Sequence, residues 1–405
     1  MEPPFALSVW AGRKVHLGVC GSVAAYKALE LTRLFQKAGL EVSVALTAAA
    51  RHFVTPLSFS GLEVKEVFTG MFVEEGRDPF AHLRPGKEAD AFVVAPASAT
   101  TLSRLAAGLA DDMLAAQALA FPRPLVLAPA MNPRMWDNAA TQANVLLLRE
   151  RGHRFVFPVA GRVACGEEGL GKLADLEEIF WAACRALCPQ DLAGKTLLVT
   201  LGPTREVWDG VRCWTNLSTG RMGAAVVGAA FLRGARVLAL AGPGVPPLPA
   251  EVERVDVVSA GEMFSRAQDL WPRADVGVFA AAVSDFAPLP RGEGKFKKDG
   301  ASRNLSIAFS PNQDILASLS GRRRPGQKIV GFAAETSDLE EQATEKLRRK
   351  NMDMVVGNLV GGEDAGFALD KNTVFVRDAL GRAESWPTLA KTDVAWRLLD
   401  WLVTL

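Results

Sequence analysis

The stretch KVHLGVCGSVAAYKALELTRLFQKAGLEVSVALT, residues 14–47, narrows the available folds more than any other part of the chain. Its apolar run over Lys14–Val19 predicts a strand. A turn of small residues follows. Leu31, Leu34, Phe35 and Ala38 then recur on one helical face, and Gly39 stops the helix. EVSVAL predicts a second strand. Strand, helix and strand in that order make a βαβ unit, whose crossover makes the two strands parallel. Apolar runs recur at AFVVAPA (91–97) and PLVLAPA (124–130), with helical stretches between them. Runs without polar alternation predict strands covered on both faces, as in a parallel sheet.

The pattern then restarts. GKTLLVTLGPTRE (194–206) predicts a fresh strand and turn, and MGAAVVGAAFLR (222–233) a helix. ARVLALAG, DVGVFAAAV (275–283) and KIVGFAAE (328–335) predict further buried strands. The expectation is an α/β chain of two tandem doubly wound, Rossmann-like domains, 1–188 and 189–405. Their joint lies in ALCPQDLAGK, where Pro189 ends a helix. A chain of 405 residues is long for one core, which agrees.

The charge balance is 46 basic against 45 acidic side chains, so no field of one sign predicts nucleic acid or an anionic membrane as partner. The N-terminal MEPPFALSVWAGRK lacks the pattern of a signal peptide, and no apolar run reaches membrane-spanning length. Five cysteines, without a CxxC pair or zinc spacing, fit a reducing cytoplasm. Cys184 and Cys188, four apart on a helix, read as core.

Several turns after predicted strands carry polar chemistry. In GVCGSVAAYK, Gly21 and Ser22 offer backbone N–H groups and a hydroxyl at a helix start, which suits phosphate; a tight structural turn reads the same way. The turn is not GxGxxG. APASATTLSRLAAGLADDML places Ser98 and Thr101 at a strand's C-terminal end, as ligand edge or helix cap. APAMNPRMW sets Asn132 between Met131 and Met135, where Asn before Pro is also an ordinary turn former. His82, in DPFAHLRPGKEAD, is a base or a surface histidine. GRVACGEEGLGK (161–172) holds Cys165 among four glycines, as a stray thiol or a reactive one on a flexible loop.

In this order and spacing, GSVAAYK, the His82 segment, APASATT, AGLADDML, PAMNPRMW and ACGEEGLGK resemble the flavin-dependent cysteine decarboxylases. The closer likeness is to the phosphopantothenoylcysteine decarboxylase half of bacterial bifunctional coenzyme A biosynthesis proteins. The resemblance implies FMN, held by Gly21, Ser22, Ser98 and Thr101, and substrate held by Met131, Asn132 and Met135. It implies oxidation of the substrate thiol toward a thioaldehyde, loss of CO₂, then reduction and protonation of the enethiolate. His82 would act as base or positioning residue in the oxidative half. Asn132 would hold the substrate carboxylate. Cys165, on a flap, would deliver the proton of the reductive half, and a thiol stays mostly protonated at neutral pH. Thr100 stands where the family has Asn, and Lys172 where it has Arg, which keeps the charge but not the bidentate fork.

The second half likewise resembles phosphopantothenate–cysteine ligase through GPTRE, VRCWTNLSTGRMG, AAAVSDF, KFKK, NQDIL, VGFAAET and KLRRKNMD. Together the likeness covers roughly residues 13–400. It implies that the 4′-phosphopantothenate carboxylate attacks the α-phosphate of CTP, releasing pyrophosphate, and that the cysteine amine then displaces CMP. Lys295 would steady the transferring phosphate, and Arg212 and Asn216 the acyl-cytidylate. Ala281, Asp285, Asp314, Ile315, Leu316, Phe332, Lys346 and Lys350 would contact CTP. Mg²⁺, with Asp285 as the candidate ligand, would bridge the triphosphate. Gln313 replaces a family Pro and Leu359 a family Asp. These two departures are the only support for the alternative of a decarboxylase with a degenerate second domain. The family further implies a homo-oligomer of trimers forming a dodecamer, with paired ligase domains and FMN at a subunit boundary.

Overall fold

The computed structural model describes residues 1–72, 78–292, 294–297, 305–335, 338–359 and 370–405. Around the KFKK motif, Glu293 and residues 298–304, Lys298 included, lie outside the described residues. The chain divides into two compact units, Met1–Cys188 and Pro189–Leu405.

In the first unit, β1 (Lys14–Val19), β2 (Glu41–Leu46), β3 (Glu66–Phe68), β4 (Ala91–Ala97), β5 (Val126–Pro129) and β6 (Arg154–Phe155) form one sheet. Its order is β3-β2-β1-β4-β5-β6, every pair parallel. Two further strands, β7 (Val159–Arg162) and β8 (Glu168–Lys172), make a separate antiparallel hairpin. The GRVACGEEGLGK stretch, expected as a flexible loop, is this hairpin. The helix over Lys27–Lys37 buries Leu31, Leu34 and Phe35, as its spacing predicts. Phe92 and Leu127 from the sheet pack with Leu102 and Leu114 from helices into one core.

One polar chain crosses that core. His16 on β1 is fully buried between Ser43 Oγ (2.8 Å from Nδ1) and Gln117 Oε1 (2.9 Å from Nε2). Gln117 Nε2 donates to the Ala81 carbonyl (3.2 Å). With Gln117 oriented so, His16 donates through Nε2 and accepts the Ser43 hydroxyl at Nδ1. Burial holds its pKa down to about 4, so the ring stays neutral.

The second unit repeats the order. Its strands are β9 (Thr196–Leu201), β10 (Arg205–Val207), β11 (Cys213–Thr215), β12 (Arg236–Ala241), β13 (Glu253–Asp256), β14 (Val276–Phe279), β15 (Phe286–Pro288), β16 (Phe309–Pro311), β17 (Lys328–Glu335), β18 (Met354–Leu359), β19 (Lys371–Asp378) and β20 (Ala383–Ala390). The main sheet runs β13-β12-β9-β14-β17-β18-β19-β20. The six from β13 to β18 are parallel, and β19 and β20 extend the edge antiparallel. Leu198, Leu240, Ile329 and Val355 of the sheet bury against Met263 and Leu347 of the helices. β10–β11 and β15–β16 are small hairpins beside it.

In both sheets the order reverses beside the first strand, between β1 and β4 and between β9 and β14. That reversal opens a crevice at the strands' C-terminal ends, where doubly wound folds bind ligands. Among the described residues no helix is long and apolar enough to cross a membrane.

Candidate functional sites

The crevice of the first unit is a cavity of about 920 Å³. The turns after β1, β2, β4 and β5 and the β7–β8 hairpin line it, and Gly21, Ser22, Ser98, Thr101, Met131, Asn132, Met135 and Cys165 are all on its wall. Gly21 is required sterically: a Cβ there would stand 2.5 Å from Ala49 Cβ, on the turn after β2. Ser22 caps the short helical turn behind it, accepting from Ala24 N (3.3 Å). Ser98 caps the helix Ala99–Ala107 through Thr101 N (3.2 Å). The ligand-edge and cap readings of Ser98 therefore coexist. Thr101 is buried, and its hydroxyl accepts from Cys20 Sγ (3.1 Å) and Ser98 Oγ (3.2 Å). Arg104 is paired with Asp111 (2.9 Å) and Asp112 (3.1 Å). The volume, the apolar walls and the helix-start N–H groups at one end suit a flat aromatic cofactor carrying a phosphate.

The hairpin brings the reactive groups together. Asn132 Oδ1 accepts from Arg134 N (2.9 Å), the turn role that Asn before Pro predicts. That bond fixes the amide and leaves Nδ2 facing β7–β8, where it donates to Cys165 Sγ (3.3 Å) and Glu167 Oε2 (2.8 Å). The other Glu167 oxygen lies 3.3 Å from Arg134 Nη2. Gly171 lets the hairpin dock. Its carbonyl accepts from Met131 N (2.9 Å), and a Cβ at Gly171 would come within 3.0 Å of the Met131 carbonyl oxygen.

His82 is not on this wall. It sits on the segment before the helix Arg84–Glu88. Gln117 holds that segment through Ala81, and Arg84 holds it through Asp78 (2.6 Å) and Glu66 (2.7 Å). The cavity wall that carries Cys165 does not include His82.

The crevice of the second unit is a pocket of about 160 Å³. Ala281, Asp285, Asp314, Ile315, Leu316, Phe332, Lys346 and Lys350 all line it. Asp314 caps the helix Ile315–Ser320 through Ala317 N (3.0 Å), and its other oxygen pairs with Lys350 (2.8 Å). Lys346 Nζ donates to the Phe332 carbonyl (2.8 Å). Burial, then the charge of Lys350, holds its pKa below the usual lysine range. Ser284 Oγ is buried on the same wall with no hydrogen-bond partner among the described residues. An orphaned hydroxyl and two cations suit a polar anionic ligand. Asn216 Nδ2 donates to Ala282 O (3.0 Å), which ties it to the pocket's rim. Lys295 and Arg212 are not on the pocket wall.

A flavoprotein family model matches residues 10–187, and the DNA/pantothenate metabolism flavoprotein C-terminal domain matches residues 192–405. The coenzyme A biosynthesis bifunctional protein CoaBC of Vibrio vulnificus (strain CMCP6) is 36% identical over 395 residues, spanning 98% of each chain. The Bacillus subtilis (strain 168) protein of the same name is 39% identical over 399 residues, spanning 97% of each. A solved C-terminal domain of a CoaBC protein is 34% identical, covering 53% of this chain and 97% of that one, with a TM-score of 0.44. The chain belongs to the bifunctional coenzyme A biosynthesis protein family.

Three residues of these sites were not picked out from the sequence. Glu167 had a visible signal, an acid two positions after Cys165. Ser284 and Asn312 lie inside the AAAVSDF and NQDIL motifs, but no role was read for either. Asn312 donates from Nδ2 to the Ser284 carbonyl (2.8 Å) and so braces the pocket from the side, a contact 28 residues apart. Gln313, the departure from the family's NPDI pattern, is itself on the pocket wall.

Proposed function

We propose that this chain performs two successive steps of coenzyme A biosynthesis, ligating 4′-phosphopantothenate to cysteine with CTP in residues 189–405 and decarboxylating the product in residues 1–188. The observation that carries the reading is the convergence of Asn132, Cys165, Gly21 and Ser98 on one cavity, with a second, cationic pocket built from the nucleotide motifs.

In the first unit, Gly21, Ser22, Ser98 and Thr101 would hold FMN in the cavity. When bound, it supplies the two-electron redox capacity that decarboxylation beside an amide lacks. Asn132 Nδ2 would hold the substrate carboxylate. Asn132 Nδ2 donates to the Glu167 carboxylate (2.8 Å), and that carboxylate marks where the substrate's would sit. The hairpin would close over the substrate and exclude water, and Cys165, beside Asn132, would protonate the enethiolate carbon. That His82 is not among the residues of this cavity's wall supports a homo-oligomer in which His82 of another copy completes the site.

In the second unit, Lys346 and Lys350 would neutralise phosphate charge, and Lys295 would steady the transferring phosphate. Asp285, on the pocket wall, would supply a carboxylate to a magnesium ion that neutralises triphosphate charge. Balanced charge and cysteines suited to a reducing compartment favour a cytoplasmic enzyme of small molecules.

The test supplies 4′-phosphopantothenate, cysteine, CTP and Mg²⁺ to the purified protein. Pyrophosphate, CO₂ and 4′-phosphopantetheine are expected in equal amounts. No CTP-dependent pyrophosphate would remove the ligase half. Protein that is colourless and cannot be reconstituted with FMN would remove the decarboxylase half.

A further inference from the structure

Asp209 is almost fully buried between two segments distant in sequence. Its Oδ1 accepts from Val211 N (2.8 Å) and Arg212 N (2.7 Å), which closes the turn that carries Arg212. Its Oδ2 accepts from Arg212 Nη1 (3.0 Å) and from Phe296 N (3.0 Å), across 87 residues of chain. Phe296 follows Lys295 directly. Burial opposes the charge, but the three backbone N–H groups and the Arg212 guanidinium outweigh it and hold the carboxyl below its usual range. Aromatic contacts reinforce the same junction. The Trp208 and Phe296 rings lie 5.5 Å apart, Arg291 stacks 4.3 Å over Phe296, and Arg291 N donates to Trp208 O (2.7 Å).

We propose that Asp209 is a positioning residue of the ligase reaction, locking the Lys295 segment to the Arg212 turn so that both cations reach the transferring phosphate in register. This rests on the reading of Lys295 and Arg212 as ligase residues. A purely local turn former would hold Val211 and Arg212 and have no reason to reach Phe296. Asp209 itself is buried and touches no substrate; it acts through the two cations, which the pocket wall alone does not hold.

The substitution Asp209→Asn separates the two roles. One amide oxygen still closes the turn, while the amide N–H groups face the Phe296 N–H and the Arg212 guanidinium, donor against donor. Ligase kcat is expected to fall about 10- to 100-fold, the usual effect of misplacing catalytic groups by roughly 1 Å, with KM for CTP changed far less. Decarboxylation of supplied 4′-phosphopantothenoylcysteine is expected to stay within twofold of wild type, which reports that the rest of the chain is folded. Limited trypsin cleavage after Arg291 and Lys295 is expected to accelerate several-fold, and this reads the tether without any ligase activity. A ligase kcat within twofold of wild type overturns the proposal, and so does lost kcat with the wild-type cleavage rate. A protein without CTP-dependent ligation at all would refute the ligase reading, yet its cleavage pattern would still report on the tether. A second variant, Phe296→Ala, leaves Asp209 and its turn intact. It is expected to shift both readouts the same way by a smaller factor; no shift in either overturns the proposal.

Discussion

Replacing Gly171 by Ala should disable decarboxylation while leaving ligation intact. A Cβ at this position lies within 3.0 Å of the Met131 carbonyl oxygen, 3.2 Å from Pro133 N and 3.3 Å from Asn132 C. All three are backbone atoms and cannot rotate away. Restoring ordinary contact requires β8 to lift from the 131–133 segment by roughly 1 Å. The Met131 N to Gly171 O bond (2.9 Å) and the Asn132 to Cys165 contact (3.3 Å) both span that gap. Overpacking of this kind costs about 1–3 kcal/mol locally, and a 1 Å displacement of a reacting group costs about 100-fold in rate. The assay follows CO₂ from preformed 4′-phosphopantothenoylcysteine, with flavin absorbance as a check on cofactor content and CTP-dependent ligation as an internal control. Exposed Leu170, one residue away and outside the cavity wall, serves as comparison: Leu170→Ala should stay within about twofold. If Gly171→Ala decarboxylates at the wild-type rate, the hairpin's docking on Met131 has nothing to do with catalysis, and the placement of Cys165 by that hairpin is wrong.

Two further outcomes follow from buried groups. His16 has a folded pKa near 4 against about 6.5 unfolded, so the unfolded chain takes up a proton first as pH falls. Its contribution to stability is full above pH 6.5 and declines toward pH 4, by about 2 kcal/mol at pH 5. The double variant His16→Val with Gln117→Leu should lose less thermal stability between pH 7.5 and pH 5 than wild type, and an equal loss would contradict the assignment. Lys346 has a lowered pKa from burial and from Lys350, so CTP binding should weaken on the alkaline side before an exposed lysine would titrate. Lys346→Met should raise KM for CTP at least tenfold, and Lys346→Arg should move the alkaline limb upward; neutral behaviour of both would remove Lys346 from the nucleotide site.

Much of the scaffold was readable because local and global signals agree. The strand over 91–97 is a continuous apolar run, the one over 14–19 is apolar but for Lys14 and His16, and the sheet buries both of their faces. Most of the residues singled out for the second unit meet in one pocket because they come from short motifs at strand ends, which the sheet order brings to one crevice. The β7–β8 hairpin was not readable. Its strands carry glycines in place of alternating side chains, and their register comes from docking Gly169 and Gly171 on residues 131–133, which no local pattern reports. The antiparallel edge formed by β19 and β20 was missed because KNTVFVRD and AESWPTLA mix polar with apolar residues and β20 stays mostly exposed, so neither reads as a buried apolar run. The bond from Asp209 to Phe296 and the absence of His82 from the cavity wall that carries Cys165 are tertiary facts, set by which turns meet rather than by what each turn contains.

Two separable activities on one chain, joined by a shared intermediate, would leave Cys165 needed for decarboxylation alone. Cys165→Ser is the most direct measurement of this separation. With 4′-phosphopantothenate, cysteine, CTP and Mg²⁺ supplied, the variant should release pyrophosphate at the wild-type rate and accumulate products stalled before 4′-phosphopantetheine, while wild type converts them fully. Full 4′-phosphopantetheine formation by Cys165→Ser, or loss of pyrophosphate release along with it, would contradict the account.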